Sequence, residues 1–409
     1  MTKLTVVIPH WGRDELLFWH LRELKNQTYK DFDTIVILDE DKEEWDNGYG
    51  ASLEDKIREL GAQVNWSGNT GPGEARNIGA QMSDSEIILI AGSDCIPDIN
   101  LIAHHVYDHD FYDADAVQGY SHWHADVVAP FYSFLQDSGL QASWKNLQKS
   151  DGSFMRQISP SFCLTTNYSI KRQLLLNEPF DKRLNGPAWD DIEFGYRLSK
   201  YDNITCLFAP YAANFHYHRY GFDSFLERCK MEGYHRIQLG KLHPEMGFSL
   251  FPPEDLRKAA QIEEAEMILW AKELDNVSFD GDEAQMITLK EIKHARYFDA
   301  CKMSSLKGVL KRIEDEHPAM KALKHVHSNE QVIQILSGLN ALEGGYIGYL
   351  GHVREWMLAE SPDNWAAWAF AGETQIECGN IQQAIDAFKT SLIINPRNDW
   401  AKNRLEELV

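Results

Sequence analysis

In PAWDDIEFGYRL, residues 187–198, the acids Asp190, Asp191 and Glu193 follow directly on Trp189. Acids in the first turn of a helix are favoured by capping and by the helix dipole, so a plain helix start near Asp190 is one reading. Capping needs a single acid, however, and a bulky indole in front of two suggests the wall of a ligand site. A desolvated carboxylate beside that wall is suited to general-base work. In LIAGSDCIPD, residues 89–98, Asp94 ends an apolar run and Asp98 follows a Cys-Ile-Pro turn. A carboxylate at the open edge of a parallel sheet can hold a divalent cation, and the cation can neutralise a diphosphate. The plainer alternative is a turn-forming Asp before proline. His216 and His218, in FHYHRYG, alternate with aromatics on an expected strand and so point to one face, as metal ligands or as structural histidines.

Two more segments have the residue types to meet a nucleotide. GPGEARNIGA, residues 71–80, sets Arg76 and Asn77 among small residues where a loop enters a helix. Glycines admit a close backbone approach and helix-terminal N–H groups suit an anion. The segment lacks the lysine of a phosphate loop and the spacing of a dinucleotide fingerprint, so an ordinary helix start stays open beside the ligand reading. Asp39, Glu40 and Asp41 close another apolar run, where they can accept hydrogen bonds from a ribose or base, or simply solvate a strand end.

The elements that must position these residues alternate. LTVVIP is a buried-strand pattern and ELLFWHLRELKNQ after it has helical spacing. DTIVILDED is a second strand, SLEDKIRELGA a second helix, and a short strand near residues 63–66 precedes the Gly-rich segment and the strand EIILIAGSD. This βαβαβ order predicts a parallel sheet flanked by helices, with ligands beyond the carboxyl ends of the strands, where Pro9, Asp39 and Asp94 fall. Residues 101–185 carry a mixed pattern without clear elements, and CLFAPYAANFHYH reads as a late strand. After about residue 251 the pattern turns helical. In the last eighty residues Pro362 and Pro396, Gly338 and Gly372, Gly345 and Gly379, and Leu358 and Leu392 each lie 34 apart. That period resembles tetratricopeptide repeats, helix hairpins that stack, with two unrelated hairpins as the alternative. The expected domains are 1–250, an α/β domain; 251–328, a helical connecting region; and 329–409, the helical repeats.

The chain has 409 residues, 44% of them hydrophobic, which fits a folded protein of more than one domain. Its 62 acidic against 40 basic side chains give a net charge of −22, which argues against nucleic acid or an anionic membrane as the main partner. No uninterrupted apolar run is long enough for a membrane span, and MTKLTVVIPHWGR lacks the pattern of a signal peptide. Six scattered cysteines without a CxxC pair fit a reduced, cytoplasmic protein.

Taken in order, VVIPHWGRDELL, VILDED, GPGEARNIGA, LIAGSDCIPD, TTNYSIKRQLL with PFDKRL, WDDIEFGYRL and FHYH resemble glycosyltransferase family 2, over roughly residues 4–220. The resemblance implies a GT-A fold, an α/β domain with a mostly parallel sheet that binds a nucleotide-diphosphate sugar, a UDP-sugar foremost. It implies transfer of that sugar, with inversion, to a hydroxyl acceptor such as a glycan, as in polysaccharide biosynthesis. By position, Pro9 and Asp39 would line the base and ribose pocket, with Asp41, Ser93, Arg76 and Asn77 also against the nucleotide. Asp94 would hold a divalent metal, Mn2+ or Mg2+, with His216 and, less favoured, His218. Asp191 would be the general base, with Asp190 beside it toward the acceptor, and Trp189 and Glu193 would bind the acceptor, Glu193 alternatively serving as support. The WDD form is similar to that of polymerising galactofuranosyltransferases. One departure stands out: where the family usually has two or three acids, this chain has Gly92-Ser93-Asp94, with Asp98 or a water as candidates to fill the gap. That departure keeps an alternative open, a catalytically weak or inactive nucleotide-sugar-binding scaffold whose repeats recruit a protein partner or a second copy. A nucleotidyltransferase is a weaker rival, since PHWGRDE has one glycine and one arginine where a glycine- and basic-rich loop would be expected.

Overall fold

The computed structural model of the chain describes residues 2–42, 49–127, 144–186, 188–219, 221–246, 298–309, 311–312, 315, 365–377 and 379–409. Two compact units divide at residue 220, Met1–Tyr220 and Gly221–Val409. Among the described residues no helix is long and apolar enough to cross a membrane.

The first unit is built on a sheet of nine strands. β1 (Leu4–His10), β2 (Phe32–Leu38), β3 (Gln63–Trp66) and β4 (Ile87–Ala91) lie in the order β3-β2-β1-β4, and all three pairings are parallel. The helices between them are α1 (Asp14–Lys25), α2 (Tyr49–Glu59) and α3 (Pro72–Met82), so the expected βαβαβ order is present. β1 and β4 are apolar on both faces because both are covered. Leu4, Val6 and Ile8 pack with Leu17 and Leu21 of α1 on one side, while Val7, Ile88 and Ile90 pack with Phe180 and Phe194 on the other. α3 presses on β1 so closely that a Cβ at Gly79 would lie 2.3 Å from Val7 Cγ1.

Beyond β4 the sheet becomes mixed. β5 (Cys95–Pro97), α4 (Leu101–Tyr112), β6 (Ala116–Trp123), β7 (Gln157–Ile158), β8 (Asn167–Lys171), α5 (Arg172–Asn177), α6 (Asp190–Leu198) and β9 (Cys206–His216) follow in sequence. β8 joins β4 antiparallel, β6 and β9 pair in parallel, and β5 and β7 pair antiparallel with β9. The mostly parallel sheet expected from the sequence is present as a mixed one: the first four strands pair in parallel, as do β6 and β9, and β4–β8, β6–β8, β5–β9 and β7–β9 are antiparallel.

In the second unit α7 (Phe222–Leu242) is followed, after the undescribed stretch, by a helical segment over 298–309 and by α8 (Trp365–Glu377), α9 (Ile381–Ile394) and α10 (Asp399–Leu408). α8 and α9 form a hairpin in which the ring of Phe388 lies against Gly372, where a Cβ would come within 2.6 Å of it. Gly379 turns the chain between them with φ 76°. The earlier member of the expected repeat, with Gly338, Gly345, Leu358 and Pro362, lies outside the described residues. So does most of the helical connecting region expected over 251–328.

Candidate functional site

The chain runs outward from β1 through β2 to β3 and then crosses back to place β4 on the other side of β1, so the carboxyl ends of β1 and β4 border the crevice where ligands bind in such sheets. Asp94 follows β4, in a turn closed by Cys95 N donating to Gly92 O at 3.0 Å. β5 then pairs antiparallel with the end of β9, Cys95 opposite His216, and Tyr217 N donates to Asp94 O at 2.7 Å. This register brings the late histidines to the acid. His216 Nε2 lies 3.4 Å from Asp94 Oδ2, and His218 Nδ1, past the strand end, lies 3.2 Å from the same oxygen. The His216 ring is steadied by stacking on Trp123, with centroids 4.9 Å apart.

Asp94, His216 and His218 each offer one ligand atom, and these atoms lie within 4.8 Å of one another. Donors bound to one ion at about 2.1 Å can be no more than about 4.2 Å apart, so a contraction of a few tenths of an ångström would close the set on a cation. One carboxylate with two imidazoles is a chemically competent donor set, and the imidazoles favour Mn2+ or a later divalent ion over Mg2+. The third donor of the set is His218, and Gly92 and Ser93 bring no carboxylate to it. Asp98 takes no part; its Oδ1 accepts from Asn100 N at 3.0 Å at the entry to α4. Burial pushes the Asp94 carboxyl up, but His216, His218 and Arg13 outweigh it and hold the group well below the usual carboxylate range. Burial lowers the pKa of His218, and Arg13 adds to this against the opposing pull of Asp94.

Arg13 also reaches this cluster, through a contact that no local sequence pattern encodes. It lies between β1 and α1, and its Nη1 is 3.1 Å from Asp94 Oδ2 and 2.7 Å from His218 Nδ1. In PHWGRDE it stands as one arginine with no partner in sequence, so nothing local marked it. His10 was missed as well: its Nε2 contacts Asp14 Oδ1 at 2.9 Å, while Nδ1 is buried without a hydrogen-bond partner.

The residues expected to face a nucleotide fall into two groups. Pro9 is the partly exposed position of β1, Ser93 is partly exposed in the Asp94 turn, and Asp41 is exposed past the end of β2. Asp39 is buried; Oδ1 accepts from Ser67 Oγ at 2.5 Å and from Gly71 N at 3.1 Å, so it fixes the loop that starts α3. Gly71 needs to be glycine there, with φ 93° and Asn185 O only 2.6 Å from where a Cβ would be. Asn77 and Arg76 are turned toward other protein groups. The Asn77 amide brackets the backbone of Phe180, donating to its O and accepting from its N, both at 2.9 Å. Arg76 forms a salt bridge with Asp190 and lies over the Phe180 ring, 5.2 Å from its centroid, leaving its Nε buried and unpaired.

The crowded acids separate by environment. α6 begins at Asp190, directly after Trp189, whose φ of 78° is a strained conformation for a bulky residue. Asp190 is buried against Arg76. Asp191 is partly exposed, and its Oδ1 accepts from Ile192 N at 2.8 Å. Glu193 is fully buried, and Arg197 binds both its oxygens, at 2.7 and 3.1 Å, while also reaching Glu178 Oε2 at 2.7 Å.

Residues 5–176 match the family described as Glycosyl transferase family 2. The match ends before α6 and the histidines of β9. Comparison with curated proteins returns no match. Among solved structures the chain is similar to the mannosyltransferase PcManGT from Pyrobaculum calidifontis in complex with GDP-Man and Mn2+, at 17% identity and a TM-score of 0.49, covering 77% of this chain and 88% of that one. It is also similar to residues 1–349 of S. aureus TarS, at 14% identity and a TM-score of 0.42, covering 97% of this chain and 92% of that one.

Proposed function

For a chain that carries a glycosyltransferase family 2 domain and is an enzyme of that family, we propose transfer of a sugar from a nucleotide-diphosphate donor to a hydroxyl acceptor, assisted by a divalent metal and proceeding with inversion. The observation that carries this reading is the convergence of Asp94, His216 and His218 at the crevice between β1 and β4. Asp94 with the two histidines would hold Mn2+, which when bound offsets the charge that develops on a diphosphate leaving group. In this reading Asp39, Pro9, Ser93 and Asp41 would lie on the donor side; the partial exposure of Pro9 and Ser93 at the ends of β1 and β4 supports it. The orphaned His10 Nδ1, buried at the carboxyl end of β1, is a group for which a bound polar ligand would supply a partner.

On the acceptor side, Asp191 is assigned as the base. It is the one acid of the first turn of α6 that is partly exposed, whereas Asp190 and Glu193 are buried. A carboxylate at a helix start is rigidly mounted and within the field of the helix dipole. Trp189, held in its strained conformation just before it, would wall the acceptor. Asp190 acts by positioning, linking α6 to α3, and Glu193 is read as support, the second of the two roles open to it. One base on the acceptor side fits direct displacement, in which the hydroxyl attacks as its proton passes to Asp191.

The donor is read as a UDP-sugar and the acceptor as a glycan. The five described cysteines are all free and buried, which supports a reducing, cytoplasmic setting. The proposed partition keeps an α/β domain to about residue 250, a helical connection over 251–328, and tetratricopeptide-like hairpins over 329–409. The α8–α9 hairpin packed at Gly372 fits a hairpin of that kind, and we read the last region as a docking surface for a protein partner or a second copy. The alternative of an inactive nucleotide-sugar-binding scaffold is favoured by one observation, Arg13 seated on Asp94. Incubating the purified chain with a set of nucleotide sugars, with and without MnCl2, separates the two. Manganese-dependent release of the nucleoside diphosphate supports the transferase. Donor binding by calorimetry without any release supports the scaffold.

A further inference from the structure

Arg13 occupies a place that its backbone does not favour. It has φ 56° and ψ 46°, and Gly12 before it has φ 59°, so two consecutive left-handed residues carry the chain from β1 into α1. Glycine takes that conformation freely, but an arginine rarely does, and such outliers persist where the surroundings hold them. Here the guanidinium ends on the candidate metal ligands. Nη1 is 3.1 Å from Asp94 Oδ2, the oxygen that both histidines face, and 2.7 Å from His218 Nδ1.

The hydrogen-bond chemistry of that contact is restrictive. A guanidinium only donates, so in the tautomer protonated at Nε2 the short approach to His218 Nδ1 uses the ring's lone pair as acceptor, while the same atom lies 3.2 Å from Asp94 Oδ2. That lone pair is the one Nδ1 would offer to a metal. Asp94 is likewise the single carboxylate of the group, and Arg13 already meets its charge. A divalent ion added beside Arg13 would place three positive charges against one carboxylate in a partly buried site.

We propose that Arg13 is a displaceable internal cation of this site that competes with a divalent ion for Asp94 and His218, so that the ion binds only when the guanidinium moves off. The inference rests on reading Asp94, His216 and His218 as metal ligands. It makes the metal affinity of the chain a property of Arg13 as well as of the ligands, because binding from a minor state weakens the apparent affinity by the fraction of that state. Arg13 is about half exposed, so it has solvent to swing into. A plain exposed ion pair, by contrast, would leave metal affinity nearly unchanged when removed.

The test is calorimetric titration of MnCl2 into the metal-free full chain, checked by the loss of the free Mn2+ signal in electron paramagnetic resonance. Arg13→Gln is expected to bind Mn2+ at least about tenfold more tightly than the parent, as an arginine in place nine-tenths of the time would dictate. Arg13→Gly suits the left-handed backbone and is expected to do the same, which guards against a folding artefact. Arg219→Gln is the charge-matched control; Arg219 Nη2 donates to Tyr217 Oη at 2.7 Å, next to His218 but off the ligand atoms, and its removal is expected to leave the affinity within twofold. Equal or weaker binding by both Arg13 variants, with the parent binding Mn2+, overturns the proposal and leaves the metal site standing. Equal tightening by Arg219→Gln also overturns it, reducing the effect to net charge. No Mn2+ binding by the parent or by either Arg13 variant removes the metal site and the proposal together.

Discussion

The Arg76 guanidinium of α3 is paired with the Asp190 carboxylate at the start of α6, joining two segments 114 residues apart, with side-chain exposures of only 11% and 6%. Both residues come from segments that read as ligand-binding in the sequence, yet each is the other's partner. A pair this buried is weak evidence of net stabilisation, but breaking it from one side leaves an uncompensated charge.

Arg76→Ala is therefore expected to destabilise the first unit by about 3–5 kcal/mol, the range for a buried pair deprived of one member. Urea unfolding measures it. The double variant Arg76→Gln with Asp190→Asn should cost clearly less than the sum of its parts, since the two residues are in contact. Additive costs would mean that Arg76 and Asp190 act independently.

Glu193→Gln tests support against acceptor contact. Arg197 would lose its bidentate partner, so a loss of a few kcal/mol in stability is expected. At a temperature where the variant is folded, the KM for the acceptor should stay within about twofold. A large rise in acceptor KM with unchanged stability would reverse the assignment.

Stability should fall in mild acid. Burial pushes His20 down to about 4, His105 to about 3 and His109 to about 4, with His105 and His109 sharing the Ser169 hydroxyl. Each group has a lower pKa folded than unfolded, so below about 6.5 the unfolded chain binds the extra proton. The stability tied to their neutral forms is fully present above 6.5 and is lost as the pH falls from there toward 4. Each contributes a slope of up to about 1.4 kcal/mol per pH unit in that window. Urea midpoints at pH 7.5, 6, 5 and 4.5 measure the trend. Replacing His105 with an uncharged residue that still folds should flatten it.

Asp191→Asn should abolish transfer while leaving donor binding within a fewfold of the parent, because the amide cannot take the acceptor proton. Calorimetry with the donor and a transfer assay read the two effects separately. Turnover near that of the parent would move the base to another residue.

β1, β2 and β4 were legible because each is a short, largely buried apolar run bounded by turn chemistry, LTVVIP before His10 and IILIA before Gly92, while β3 is a short and more exposed strand beside β2. Residues 101–185 were not, because β6 and β8 find their partners far away in sequence. β7 is two residues long and exists only through its pairing with β9. The Asp94 site was partly readable, since a strand-end acid and two alternating histidines are local signals. That both histidines reach Asp94 depends on the pairing of Cys95 with His216, which no local pattern encodes. Asn77 misled for a related reason: an amide in a Gly-rich helix start looks ready for a ligand, but its partners are backbone atoms of Phe180, 103 residues on. Arg13 escaped notice because only the folded chain brings it over β4's end to Asp94.

We propose that Asp94, with His216 and His218, makes this chain a metal-assisted sugar transferase. The most direct test is the initial rate of nucleoside diphosphate release from the best nucleotide-sugar donor in saturating MnCl2, parent against Asp94→Asn. The account predicts a rate at least about a hundredfold lower in the variant, in line with removal of a main electrostatic contributor to leaving-group departure. A variant that releases the diphosphate at the parent rate, with the same manganese dependence, would contradict it.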